Sequence, residues 1–285
     1  MDPKTIRNLA TEADDFGHQL RVGNMLSSIP DLHSTHGGTY VDSITQKPRE
    51  FDFRCTIRKG DLVLHLAVEC KNLSKDAPVV ICGVSRNANE AFHDIIQSSF
   101  GRLTRGGSVI DGWYSETRRL PGSRIYREGE FSGKSVIKIK PAPNGKGSVG
   151  KYKTEQDTDI YDRWNQALSS AYDLCKTSAV LARDYRQRHI FSAIIPTVVV
   201  ADGSLWELRY DQDGTIREDP RQSHHCEYFV DRRLKATGWD ADQECSLSHI
   251  HFFTLSGLKS WTGLLHANQA WTDWFPPESV GAWRD

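Results

Sequence analysis

The chemistry-bearing residues that stand out are two acids and a lysine: Asp52, and Glu69 followed two residues later by Lys71. Carboxylates are hard oxygen ligands of the kind Mg²⁺ accepts, with Mn²⁺ able to substitute, because Mg²⁺ dehydrates reluctantly and leaves part of its shell to water and phosphate oxygens. An ammonium beside such an ion can orient an attacking water and stabilise charge on a phosphoryl oxygen. Glu-x-Lys alone is a common surface pattern, so the weight falls on the element that would align the three groups.

That element is a hairpin. Segments 49–58 and 62–72 flank Gly60-Asp61, a pair suited to a two-residue type II′ turn. The turn sets a register with Phe53 opposite Val68, Cys55 opposite Leu66 and Ile57 opposite Leu64, an apolar face. On the other face the same register predicts Asp52 opposite Glu69 and Glu50 opposite Lys71. Two acids facing each other across a ladder repel unless a cation lies between them.

With Asp52 on one strand and Glu69-Cys70-Lys71 ending the next, the chain resembles the PD-(D/E)xK nuclease superfamily, the restriction-endonuclease-like fold. The resemblance implies that Asp52, Glu69 and the backbone carbonyl of Cys70 ligate the metal. It also implies that Lys71 assists the water, and that cleavage leaves a 5′-phosphate and a 3′-hydroxyl. That fold opens with a helix, and residues 3–28 fit one, with Asp2 as N-cap, Pro3 in the first turn and Ile6, Leu9, Ala13, Phe16 and Leu20 as a buried stripe. Glu12 borders the stripe and is where the family's helical acid would fall; Asp14 and Asp15 compete for the role, and a solvated helix face is the plain alternative. The family's proline usually adjoins the first acid, whereas here Pro48 stands four residues before it. A glutamine or tyrosine on a later helix, used by some relatives, draws attention to Gln166 and Tyr172. Gln166 lies opposite that helix's apolar stripe and is left out of the site.

The chain has 285 residues, 38% hydrophobic and 26% charged, enough for one large domain. No apolar run reaches the length of a membrane helix and the N-terminus is unlike a signal peptide, so a cytoplasmic protein with no membrane partner is expected. Six scattered cysteines fit reduced thiols better than a disulfide framework. The net charge of −1 conceals a segment, 102–153, that carries twelve Lys/Arg against four Asp/Glu. Arg102, Arg105, Arg118, Arg119, Lys134, Lys138 and Lys140 are the candidates for holding a phosphate backbone, with Trp113, Tyr114 and Tyr126 available to stack on bases. A solvated insertion kept for solubility is the alternative reading.

The fold expected is α/β: a restriction-endonuclease-like core with a central mixed β-sheet flanked by helices. Residues 101–153 form its basic insertion, and residues 190–285 supply the strands and helix that complete the sheet. In detail the pattern predicts a strand over 78–84, a helix over 87–97, a strand over 135–140 and a long helix over 157–188. Beyond them come a strand over 189–200, a hairpin through Asp202-Gly203 into 205–210, strands over 227–234 and 247–255, and a helix capped by Ser256. His224, His225, Cys226, Cys245, His249 and His251 hold enough nitrogen and sulfur for zinc if their strands pair. They lack the tight Cys/His pairs of a structural zinc site, so polar strand faces are the expectation. Gly133-Lys134-Ser135 lacks the leading glycine of a phosphate loop, and no serine nucleophile elbow is present. The functional expectation is a Mg²⁺-dependent nuclease acting on DNA, with a homodimer or a partner protein open. The rival is the same fold kept as a non-catalytic module that binds nucleic acid or a protein.

Overall fold

Two positions in the backbone shape the start of the sheet: Gly60 at φ +64°, and Gly37-Gly38 at φ +67° and +148°. All three angles lie in the region that glycine enters without steric cost. The computed structural model describes residues 2–7, 16–71, 78–105, 108–142, 151–155, 157–182, 189–235, 244–266 and 269–281. Its helices are α1 (Phe16–Ser27), α2 (Asp157–Ala182), α3 (Leu255–His266), α4 (Gln269–Trp274) and α5 (Pro277–Gly281). In the first half the strands are β1 (Leu32–His36), β2 (Thr39–Val41), β3 (Pro48–Glu50), β4 (Phe53–Lys59), β5 (Leu62–Lys71), β6 (Val79–Ser85), β7 (Phe92–Arg105) and β8 (Ser108–Pro121). The second half adds β9 (Phe131–Pro141), β10 (Tyr152–Glu155), β11 (His189–Val200), β12 (Leu205–Arg209), β13 (Arg221–Gln222), β14 (His225–Lys235) and β15 (Glu244–Thr254).

The chain is α/β with a large mixed sheet flanked by helices. Its strand order is β1-β4-β5-β11-β15-β14-β9-β6-β12-β13, with β10 on β9, the β7–β8 hairpin branching from β11, and β2–β3 as a separate ribbon. The Gly60 turn gives the register its two-residue loop requires, with Phe53 opposite Val68, Cys55 opposite Leu66 and Ile57 opposite Leu64. β5, β11 and β15 run parallel in the centre. Both faces of these strands are covered, which is why β5 and β11 read as near-continuous apolar runs.

Each face has its own core. On one, Val22 and Leu26 of α1, Leu258 and Leu265 of α3, and Trp271 and Trp274 of α4 pack on Phe53, Leu64, Leu66, Val199 and Phe253. On the other, Trp164, Leu168, Ala171 and Cys175 of α2 recur at three- and four-residue spacing and pack on Ala67, Val198, Val200 and Phe252.

Several local expectations are corrected. Asp2 does cap a helical turn at 3–7, its Oδ1 accepting from the Lys4 and Thr5 amides at 2.9 and 3.0 Å. Ile6, Phe16 and Leu20 are nonetheless exposed, while His18, Val22, Met25 and Leu26 are buried, so the stripe that packs is rotated from the one expected. Leu9, Glu12 and Ala13 lie outside the described residues. In place of a helix over 87–97 there is one 3-10 turn, Ala88–Glu90, and then β7. Its β-branched Ile95-Ile96 pair suits a strand, and the ladder with β8 runs from Phe92 opposite Pro121 to Arg105 opposite Ser108.

The Asp202-Gly203 turn does not close a hairpin, because β12 crosses over to lie parallel to β6. Asp202 instead accepts from the Ser256 amide and hydroxyl at 3.0 and 2.7 Å. The cap of α3 is accordingly Thr254, whose Oγ1 accepts from the Gly257 amide at 3.1 Å. The segment expected as a basic insertion is woven into the architecture, for β9 lies between β14 and β6. The five described cysteines are buried and none of them forms a disulfide, and no helix among the described residues is long and apolar enough to cross a membrane.

Candidate active site

Three elements converge on the end of β5. The β4–β5 ladder stops at Phe53–Val68. The chain bends there, Gly37 donating to the Asp52 carbonyl at 2.9 Å and Phe51 to the Gly38 carbonyl at 3.1 Å, and enters the β2–β3 ribbon. Asp52 is therefore not a ladder partner of Glu69. Glu50 pairs with Thr39 in the ribbon rather than facing Lys71, which corrects that part of the expected register.

The bend gives Asp52 a different function. Its Oδ2 accepts the Cys70 amide at 2.7 Å, a place the ladder would have filled with a backbone carbonyl, and its Oδ1 accepts Gln19 Nε2 from α1 at 2.8 Å. A strand residue projects its N–H and C=O to the same edge, so the Cys70 carbonyl also faces the edge occupied by Asp52. Glu69 follows the parity of Ala67 on the α2 face and is only 3% exposed. Lys71 Nζ donates to Glu69 Oε1 at 2.6 Å. The fold thus gathers Asp52, Glu69, the Cys70 backbone and Lys71 at one strand end.

These donors fit Mg²⁺. Asp52, Glu69 and the Cys70 carbonyl offer only oxygen, the donor type that a hard divalent cation takes. Burial pushes the nearby Tyr40 phenol well above its ordinary pKa, and the charges of Asp42 and Glu69 push it further, as expected in a negative field. The ribbon is tied to α2 by Arg54, which pairs with Asp173 at 2.8 Å and lies 4.3 Å over the Phe51 ring. Gln166, set aside on helical geometry, donates to the Glu50 carbonyl at 2.7 Å, while the Tyr40 hydroxyl donates to the Gln166 carbonyl at 3.3 Å. It faces away from the apolar stripe, as the periodicity predicts, but the ribbon covers that flank. Tyr172 is buried in the core.

Several of the basic candidates are engaged within the protein. Arg118 pairs with Glu116 at 3.2 Å. Arg119 pairs with Asp94 at 3.3 Å and stacks 3.8 Å over Phe92. Lys134 pairs with Glu90 at 2.6 Å and sits 4.4 Å over Phe229. Lys138 and Lys140 lie on β9 opposite Glu155 and Lys153 of β10. The side chains of Arg102 and Arg105 lie outside the described residues, as do those of Trp113 and Tyr114.

The histidine set that the sequence offered for zinc, and that was set aside for its spacing, is brought together in part, with Glu227 as the member the sequence reading did not include. Strands β14 and β15 pair with Glu227 opposite His251 and His225 opposite Phe253, bringing His225, Glu227 and His251 together. The available signal was the alternation His225-x-Glu227 facing His251-x-Phe253, which becomes informative only once the register is known. The chain matches no protein-family model, no curated protein and no solved structure in comparisons with all three.

Proposed function

We propose that this chain is a Mg²⁺-dependent nuclease that hydrolyses phosphodiester bonds, acting as a DNA endonuclease with a restriction-endonuclease-like core. The observation that carries this reading is the Asp52 carboxylate turned onto the Cys70 amide, beside a Glu69–Lys71 pair 2.6 Å apart at the end of a central strand. When bound, the ion would polarise a phosphoryl oxygen and acidify a water. The side chains have separable tasks. Cys70 N–H and Gln19 fix the rotation of the Asp52 carboxylate, so that little reorganisation is needed on binding. Lys71 neutralises Glu69 in the resting protein, and its ammonium would donate to a water or a phosphoryl oxygen when substrate is bound.

The test is a Mg²⁺ titration against single- and double-stranded DNA, scored for binding and for cleavage in the wild type, Asp52→Asn and Lys71→Met. Cleavage should depend on Mg²⁺ and fall at least about 100-fold in each variant. Full activity in either variant rejects this site. The second reading, a non-catalytic module of the same fold, is favoured by the near-complete burial of Glu69. Binding without cleavage under Mg²⁺ or Mn²⁺ would assign the chain to it.

A further inference from the structure

The sheet opens where β14 departs from β9. Those two strands share one register pair, Tyr228 with Gly133, so the start of β14 has no β9 neighbour. A cleft of about 440 Å³ occupies the gap, lined by Glu130, Glu207, Arg209, His225, Cys226 and Glu227 among others. His225 and Glu227 line it, and their ligand-type atoms and that of the buried His251 lie within 4.8 Å of one another.

The orientation of these three groups is set by their neighbours. His225 Nε2 and His251 Nδ1 are 3.1 Å apart. The far nitrogen of His251, Nε2, lies 2.7 Å from the Tyr126 hydroxyl, which fixes the ring and leaves Nδ1 directed at His225. The rings of His225 and Phe253 stack at 4.3 Å. Glu227 Oε2 is held by Arg86 at 2.5 Å, whereas its Oε1 accepts no hydrogen bond among the described residues. Two imidazole nitrogens and one carboxylate oxygen make a set that prefers zinc to magnesium, and three protein ligands beside a cleft leave a coordination position for water. The Tyr126 contact is the outer hydrogen bond that metal-bound histidines usually make.

We propose that His225, Glu227 and His251 form a Zn²⁺ site whose fourth position opens into the cleft between β14 and β12. This site is separate from Asp52 and Glu69. The residues Val68, Thr197 and His251 align across β5, β11 and β15, one row from Glu69, Val198 and Phe252. Aligned residues share a face and adjacent rows oppose, so His251 belongs to the α3–α4 face and Glu69 to the α2 face.

The full chain, stripped with chelator and titrated with Co²⁺ as a spectroscopic stand-in for Zn²⁺, should bind one ion with visible d–d absorption. Zn²⁺ should displace it in a competition read by the loss of that band. His225→Asn and Glu227→Gln should each weaken Co²⁺ binding on the order of 100-fold, and Tyr126→Phe about 10-fold. Asp52→Asn should bind Co²⁺ like the wild type. Far-UV circular dichroism checks that each variant is folded. Wild-type protein that binds no Co²⁺, or folded His225→Asn and Glu227→Gln proteins that bind it undiminished, would overturn the site. Loss of the band in Asp52→Asn would place the ion elsewhere and overturn it equally.

Discussion

Replacing Lys71 by Met tests whether the acid site is a dehydrated, organised pocket. The Glu69 side chain is 4% exposed and that of Lys71 15%, with 2.6 Å between Nζ and Oε1. At an effective dielectric of ~20 the gross attraction across that distance is about 6 kcal/mol. Desolvation offsets much of it, so the pair contributes little net stability relative to an apolar pair of the same shape. Removing only one partner is a different matter, because Glu69 is then left charged and buried. Lys71→Met should therefore destabilise by about 3–5 kcal/mol. Glu69→Gln should cost less, and the double variant should recover most of the loss, giving a coupling energy of a few kcal/mol. Urea denaturation of the four proteins, in chelator near neutral pH, measures every corner of the cycle. A Lys71→Met loss under ~1 kcal/mol with negligible coupling is the signature of a solvated surface pair. It would refute the picture of Glu69 held out of water.

Burial lowers the pKa of His65, His93 and His225 to about 4, so below pH ~6.5 the unfolded chain binds protons that the folded chain does not. Between neutrality and pH ~5.5 the three should cost about 4 kcal/mol. Burial raises Glu227 to about 7, and this group works in the opposite sense, returning about 2 kcal/mol over that interval because the folded state takes up its proton first. Melting temperature should thus fall on acidification through this range, and a flat or rising profile contradicts the burial of the histidines. In α3, a Cβ on Gly257 would lie 1.9 Å from the His224 carbonyl oxygen, whereas one on Gly263 meets nothing within 4 Å. Gly257→Ala should destabilise by about 1–3 kcal/mol and Gly263→Ala should stabilise by up to about 1, read by thermal melts; equal effects would refute the packing of His224, just before β14, against α3. Asp52→Ala removes the acceptor of the Cys70 amide and should cost about 1–3 kcal/mol, while Asp52→Asn keeps an acceptor oxygen and should cost less; the reverse order in urea melts would show that this hydrogen bond is not formed.

What could be read from the sequence was whatever a short-range rule determines. Gly60-Asp61 fixes a two-residue loop, and the register from Phe53 to Lys59 follows from it pair by pair. The stripe of Trp164, Leu168, Ala171 and Cys175 is likewise dictated by helical period. The failures arise where tertiary partners choose among locally equal options. Ladder arithmetic carried past Phe53 placed Glu50 opposite Lys71, but Gly37-Gly38 turns the chain there and gives Glu50 to Thr39. On α1 both His18-Val22-Met25 and Phe16-Leu20 are plausible stripes; contact with the sheet buries the first, including His18, whose Nε2 sits 3.1 Å from the Val199 carbonyl. The segment 92–97, expected as part of a helix, is strand because the long partner β8 pairs with it. Pairing His225-x-Glu227 with His251 needs a β14–β15 register interrupted between Phe229 and Arg232, which no turn rule supplies.

The parallel register also bears on how the two polar centres can relate. Lys71, Val200 and Thr254 align at the same end of β5, β11 and β15, the end at which open α/β sheets usually present their ligand sites. Glu69 and His251 both lie close to that end, two strands apart, or about 10 Å across the sheet. Strand parity nevertheless sends Glu69 toward α2 and His251 toward Trp261 and Trp274. The close-packed rows of Val198, Val199, Phe252 and Phe253 stand between them, each residue essentially inaccessible to water. A single ion cannot bridge groups on opposite faces, so a shared two-metal centre is excluded by topology alone. Any coupling between the sites has to pass through movement of β11 and β15 as strands, and a core packed this densely on both faces resists such movement. The two proposed sites should therefore act independently, with additive effects of substitutions at Asp52 and His225.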